Sequence, residues 1–230
     1  MTVKDQWRAS ILPRIEIAKQ ALRECDISDL AAHSGCDCCD EGLRLQLFGD
    51  SLCVTVPEFD VLSSKGTVCR EEAQLLILDY LSFSRNLSPL PTGSQDWVGF
   101  QELPNGAFYA KAFRTYTSDL IMGRLDGDTA RFQRACRHLN GQAFSLGDAA
   151  FAFQALPRIR LAAVWWAGDE EFSAHANILF DPSSAHALPI DGMATLGRLF
   201  SRKFLAAVDH TDFASRRTIG DLQPSRSHHV

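Results

Sequence analysis

Four acids, a histidine and two tryptophans crowd one short stretch, WWAGDEEFSAHANILFD, residues 165–181. Asp169, Glu171 and His175 are residue types that move protons. Carboxylates held close together raise one another's pKa, which can set a protonated acid beside an ionised base. His175 titrates near neutrality and, with Asp169 and Asp181, could ligate a hard metal. If Leu161 to Trp166 is a strand, Gly168 permits a sharp exit that leaves the acids at its end, where sheets often present ligand sites. The same residues also read as the solvated first turn of a short helix over Glu170–Ala174, its acids favoured by the helix dipole. Asp148 and Asp181 have an equally plain reading as turn caps. Trp165 and Trp166 point to opposite faces of a strand, so only one of them can line a pocket.

A second cluster is Cys36-Asp37-Cys38-Cys39. Thiolates are soft ligands, and Cys36, Cys38 and Cys39 could gather around zinc, copper(I) or an iron–sulfur cluster, with Asp37 or His33 nearby. No second cysteine pair follows at zinc-ribbon spacing, so the simpler reading is a loop of reduced thiols. The odd total of seven cysteines also argues against a disulfide framework. No G-x-S-x-G, P-loop, H-E-x-x-H or G-x-G-x-x-G occurs, so serine hydrolase, nucleotide triphosphatase, zincin and dinucleotide chemistries lack their local geometry. Glu102, in FQELPNG, is a further carboxylate of interest, with turn stabilisation as its structural explanation.

The elements that would position these residues follow from periodicity. Trp7, Ile11, Ile15, Ala18 and Leu22 form a helical stripe, with Ser10 as a cap and Pro13 in the first turn or at a kink. Leu43, Leu45 and Leu47, then Leu52, Val54 and Val56, alternate about a turn at Gly49-Asp50-Ser51 and predict a hairpin. Glu71 and Glu72 open a helix over 71–84 that should pack on that hairpin. Residues 86–96, NLSPLPTGSQD, read as a surface loop. A helix starts near Asp128 and stops at Asn140-Gly141. Short strands follow at Phe144, 149–153, 160–166 and 177–180, and a last helix spans 191–207. The result is an α+β fold, a single domain over 1–208 with a mixed or mainly antiparallel sheet and helices packed on it, and 209–230 as a flexible tail.

Composition narrows the function. A net charge of −5 and a pI near 5.8 argue against a polyanion binder, so nucleic acid is not an expected partner. The longest apolar run, Leu161 to Ala167, is far short of the roughly 20 residues that span a bilayer, and the charged start lacks a signal-peptide core; no membrane association and a cytoplasmic location are expected.

Across residues 25–205 the order WVGFQELPNGAFY, GDAAFAFQALPRIRLAAVWWAGDEEFSAHANILFD and HALPIDGMATLGRLF resembles the uncharacterised family named domain of unknown function 3786. The resemblance implies a setting among anaerobic bacteria and archaea, where some members carry an attached iron–sulfur module. This chain has no such four-cysteine run. It shows cysteines at 36–39 where relatives have an acidic, glycine-containing turn, and Asp191-Gly192 where they tend to have paired acids.

Two expectations stand. One is an accessory or binding protein that holds a small ligand or metal-containing cofactor, in anaerobic redox metabolism and with a redox protein as a partner. Its pocket would be walled by Trp97, Trp165 or Trp166, Phe100 and Tyr109, with Glu102 and Asp181 as polar contacts. The other is an enzyme that uses Asp169, Glu171 and His175 for acid–base or metal chemistry.

Overall fold

The first helix, α1 (Val3–Arg23), turns Ile11, Ile15, Ala18 and Leu22 inward at spacings of four, three and four. The structure, a computed structural model, describes residues 3–84 and 96–220, and the side chains of 8–84 and 96–214. The side chain of Trp7 and the loop expected over 86–96, Asp96 excepted, lie outside these. Because α1 starts at Val3, Ser10 is not its cap and Pro13 sits inside the helix. Pro13 and Ala9, whose carbonyl loses its helical donor there, are both on the solvent side, where water can replace the missing bond.

Helix α2 (Ile27–Ser34) is capped by Asp26, whose carboxylate accepts from Ser28 N (2.9 Å) and Asp29 N (3.1 Å). It ends at Gly35, left-handed at φ 72°, where an added Cβ would press to 3.2 Å from Pro157. Strands β1 (Asp37–Cys39), β2 (Gly42–Leu47), β3 (Asp50–Thr55) and β4 (Val61–Ser63) form an antiparallel sheet in that order. Leu43↔Val54 and Leu45↔Leu52 set its register and its buried face. The hairpin turn is Phe48-Gly49, one step earlier than expected, with both residues at positive φ. Phe48 is held there by a bond from its N–H to Ala155 O (2.9 Å) and by ring contact with Phe200.

Helix α3 (Glu71–Ser84) buries Leu75, Leu76, Ile77, Leu78, Tyr80 and Leu81, so apolar side chains surround it on nearly every side. A helix of this composition has to be central. The later elements are β5 (Val98–Gly99), α4 (Ala110–Tyr116), α5 (Ser118–Leu125), α6 (Thr129–His138), β6 (Gln142–Phe144), β7 (Ala149–Leu156), β8 (Ile159–Trp166), β9 (His175–Phe180), α7 (Ser184–Ala187) and α8 (Ile190–Gly220). Two 3-10 turns, Phe100–Glu102 and Gly106–Phe108, link β5 to α4. The second sheet has the order β5-β9-β8-β7-β6, antiparallel throughout.

The expected α+β class with antiparallel sheet is present, but the strands divide into two sheets rather than one. A two-residue turn already commits β2 to β3, and between β2 and β7 a backbone bond forms at Phe48. Along β8, Leu161, Ala163 and Trp165 enter the main core, while Ala162 and Val164 enter a small cluster on the opposite face, under Trp97, Phe144 and Trp166. Phe132 of α6 and Phe200 and Phe204 of α8 pack on the inner face. One core runs from Ile11 to Val208 through both sheets. Helix α8 continues past Ala207 through Gly220, where fraying was expected. Its added length is anchored by Asp209 to Arg124 and by Asp212 to Arg131 (2.6 Å). Among the described residues no helix is long and apolar enough to cross a membrane.

The two halves meet at the buried Tyr80. Its hydroxyl donates to Ser34 O, at the end of α2, and accepts from Arg158 N (3.1 Å), in the turn between β7 and β8. Tyr80→Phe leaves both groups without this partner and is expected to lower the unfolding free energy by about 1–3 kcal/mol. Urea denaturation measures this, and an unchanged midpoint would show that the hydroxyl does not join the halves.

Candidate functional site

The acid-rich stretch forms a loop, not a helix, between β8 and β9. Asp169 is exposed and accepts from Glu171 N (2.9 Å) and Phe172 N (2.7 Å); these N–H groups hold its carboxyl below its ordinary pKa. Glu171 is exposed, and His175 stacks on Trp166 with centroids 4.5 Å apart. Among the described residues, ligand atoms of Asp169, Glu171 and His175 do not come within 4.8 Å of one another. Asp181 accepts from Ser183 N (3.0 Å) and Ser183 Oγ (2.6 Å), and Glu102 accepts from Gly99 N (2.6 Å). All three bonded carboxylates stabilise turns.

The tryptophans and tyrosine of the expected pocket are separated. Trp165 is in the core, its indole N–H donating to Thr129 Oγ1 (2.9 Å). Trp97 and Trp166 lie on the outer face of the second sheet, where Trp97 stacks on Phe144 and Arg160 lies over its ring. Phe100 and Tyr109 belong to a different cleft. The cysteines part as well. Cys36 is buried, and burial pushes its thiol up to about 11. Cys38 is exposed and pairs with Leu43, whereas Cys39 pairs with Gly42, so the pleat sends the two thiols to opposite faces of β1.

The cleft that receives Phe100 and Tyr109 has a volume of about 320 Å³ and lies among α1, α3, α4 and α8. Each long helix contributes one face: Ser10 and Arg14 from α1; Glu72, Leu75 and Asp79 from α3; Asp191, Thr195 and Arg198 from α8. Glu72 is almost fully buried between Arg198 (2.5 Å) and Arg202 (2.8 Å), which ties α3 to α8. Arg198 also lies over the Tyr116 ring, 5.8 Å from its centroid, and its Nε is buried without a hydrogen-bond partner. The half-exposed Arg14 faces Asp79 at 3.9 Å and Asp191 at 3.8 Å, distances too long for direct hydrogen bonds. Burial pushes the Asp79 carboxyl up to about 6; Arg14 opposes the rise and Asp191 adds to it. Burial also pushes Tyr116 up.

Sequence reading named Tyr109 and Phe100 here but missed Arg14, Glu72, Asp79 and Arg198. A signal was available: Glu72 and Asp79, like Asp191 and Arg198, stand seven residues apart, two turns along one helix face. In LLILDYL, Asp79 is a lone acid among apolar neighbours.

The fold and cleft define a small α+β domain with a partly buried, mixed-charge cleft between helices. The chain belongs to the family described as domain of unknown function DUF3786, whose model matches residues 26–203. No curated protein and no solved structure matches it.

Asp79 makes stability depend on pH. An unfolded aspartate ionises near 4, whereas folded Asp79 keeps its proton until about 6. Between these values the native state binds more protons than the unfolded chain, so this group's contribution falls as pH rises through about 6. Asp79→Asn cannot ionise and is expected to melt above the wild type at neutral pH, with a flatter decline from about pH 4 to about pH 6. Thermal melts across pH test this; a variant less stable at neutral pH would mean that the Arg14 contact outweighs burial.

Proposed function

We propose that this protein is a binding protein that holds a small ligand with an anionic group in the cleft among α1, α3, α4 and α8. The observation that carries this reading is that one cleft is lined both by a desolvated Asp79 and by Arg198, whose buried Nε lacks a partner. Buried polar atoms without partners are uncommon in folded proteins, and a bound ligand supplies what is missing. Arg14 and Arg198 would meet a carboxylate of the ligand, Tyr116 and Phe100 would flank its apolar part, and Asp79 in its protonated form would donate to it.

The cleft is lined without a cysteine, so the reading concerns ligand binding, not the redox setting that the family resemblance suggests. Acid–base catalysis by Asp169, Glu171 and His175 finds less support, because Asp169 is engaged by its own turn and the three do not converge.

The test is a thermal-shift titration with short carboxylic and amino acids. A stabilising ligand is expected to bind more weakly as pH rises through about 6, because ionised Asp79 repels an anion. Arg14→Ala and Arg198→Ala should lose the response, while Asp169→Asn should keep it. No shift from any of these compounds, or a shift indifferent to Arg14 and Arg198, would remove the cleft as the binding site.

A further inference from the structure

A second group of chemically capable side chains lies on the first sheet, remote in sequence from every residue of the cleft. Cys39 is the last residue of β1, Glu41 lies in the two-residue turn to β2, and Cys53 is on β3. Their ligand atoms, two Sγ and a carboxylate oxygen, all lie within 4.8 Å of one another. Among the described residues no other three histidine, cysteine or acidic side chains come so close.

The register explains the meeting. Cys39 pairs with Gly42 and Cys53 pairs with Arg44, which places both thiols on the face opposite Leu43 and Val54, away from the core. Gly42 stands on β2 between them and has no side chain to part them. Its φ of 144° also suits glycine, and an added Cβ would sit 2.3 Å from Val54 O. Strands two apart are separated by roughly 10 Å, beyond the Cα span of a disulfide, so the thiols approach without a geometry that lets them bond to each other.

We propose that Cys39, Glu41 and Cys53 form a binding site for a thiophilic divalent cation, zinc being the class that suits two thiolates and one carboxylate. In tetrahedral coordination two zinc-bound sulfurs lie about 3.8 Å apart, which small side-chain rotations can reach from the present separation. Both thiols release their protons to solvent when the ion binds. The fourth position stays open to water or to a donor from a partner. The cysteine pair differs from the 36–38–39 set read from the sequence, sharing only Cys39 with it.

Cobalt(II) titration of the reduced, metal-free full chain tests the site through its thiolate-to-metal absorption band. One cobalt per chain is expected, displaced by zinc; Cys39→Ser and Cys53→Ser should each lose the band, and Cys36→Ser and Cys38→Ser should keep it. If a serine variant fails to fold, alkylation of the wild type decides the matter. Zinc should protect Cys39 and Cys53 but leave the exposed Cys38 reactive. Absence of a thiolate band, a band that depends on Cys36 or Cys38, or unprotected Cys39 and Cys53 would each overturn the proposal.

Discussion

The Tyr80 hydroxyl uses its one proton and a lone pair to hold together parts of the chain that are far apart in sequence. It donates to the carbonyl of Ser34 and accepts from the amide of Arg158. Both bonds lie in the interior, where an unpaired polar group is costly, so the end of α2 and the β7–β8 turn are held to the same side of α3. Gly35 makes this junction sterically feasible. Its left-handed backbone ends α2, and the absence of a Cβ lets Pro157 approach. The Arg158 guanidinium donates to Ala32 O (2.8 Å), and Phe48 N–H bonds Ala155 O nearby, which extends the same seam.

With α3 fixed in the centre, the positions of its polar residues follow. Glu72 and Asp79 lie on the face turned toward α1 and α8, too far inside for free hydration. Glu72 is compensated by two arginines, which keeps a buried charge tolerable. Asp79 has only a distant arginine and a second acid nearby, so its proton is retained to higher pH. The contrast between two carboxylates on one helix distinguishes a structural ion pair from a chemically responsive group.

Much of the fold was legible in local patterns. The 43–56 hairpin showed period-two alternation, the helix over 71–84 showed helical spacing, and the strands from 144 to 180 showed as short β-compatible runs bounded by turn residues; all of these elements are present. Helices α4 and α5 were not read, because short segments such as AKAFRTY carry only a turn or two of pattern. The end of α8 was also missed: its polar residues looked like a tail, and the docking of Asp209 and Asp212 onto arginines of α5 and α6, which holds that segment, joins residues far apart in sequence.

Sequence by itself determined which segments bury an apolar face, and therefore the α+β class, since side-chain periodicity and turn chemistry are local properties. It also supplied the types of residue available for chemistry. Tertiary structure decided which of them meet. Asp169, Glu171 and His175 are neighbours in sequence yet do not converge, because the turn that Asp169 caps takes up its carboxylate. Cys36, Cys38 and Cys39 are separated by burial and by the pleat of one short strand, while Cys39 and Cys53 are brought together across β2. Arg14, Asp79 and Arg198 share a cleft only because three helices present their faces to it. Convergence of distant side chains depends on register and helix packing, which are set by contacts between segments and have no signature in either segment alone.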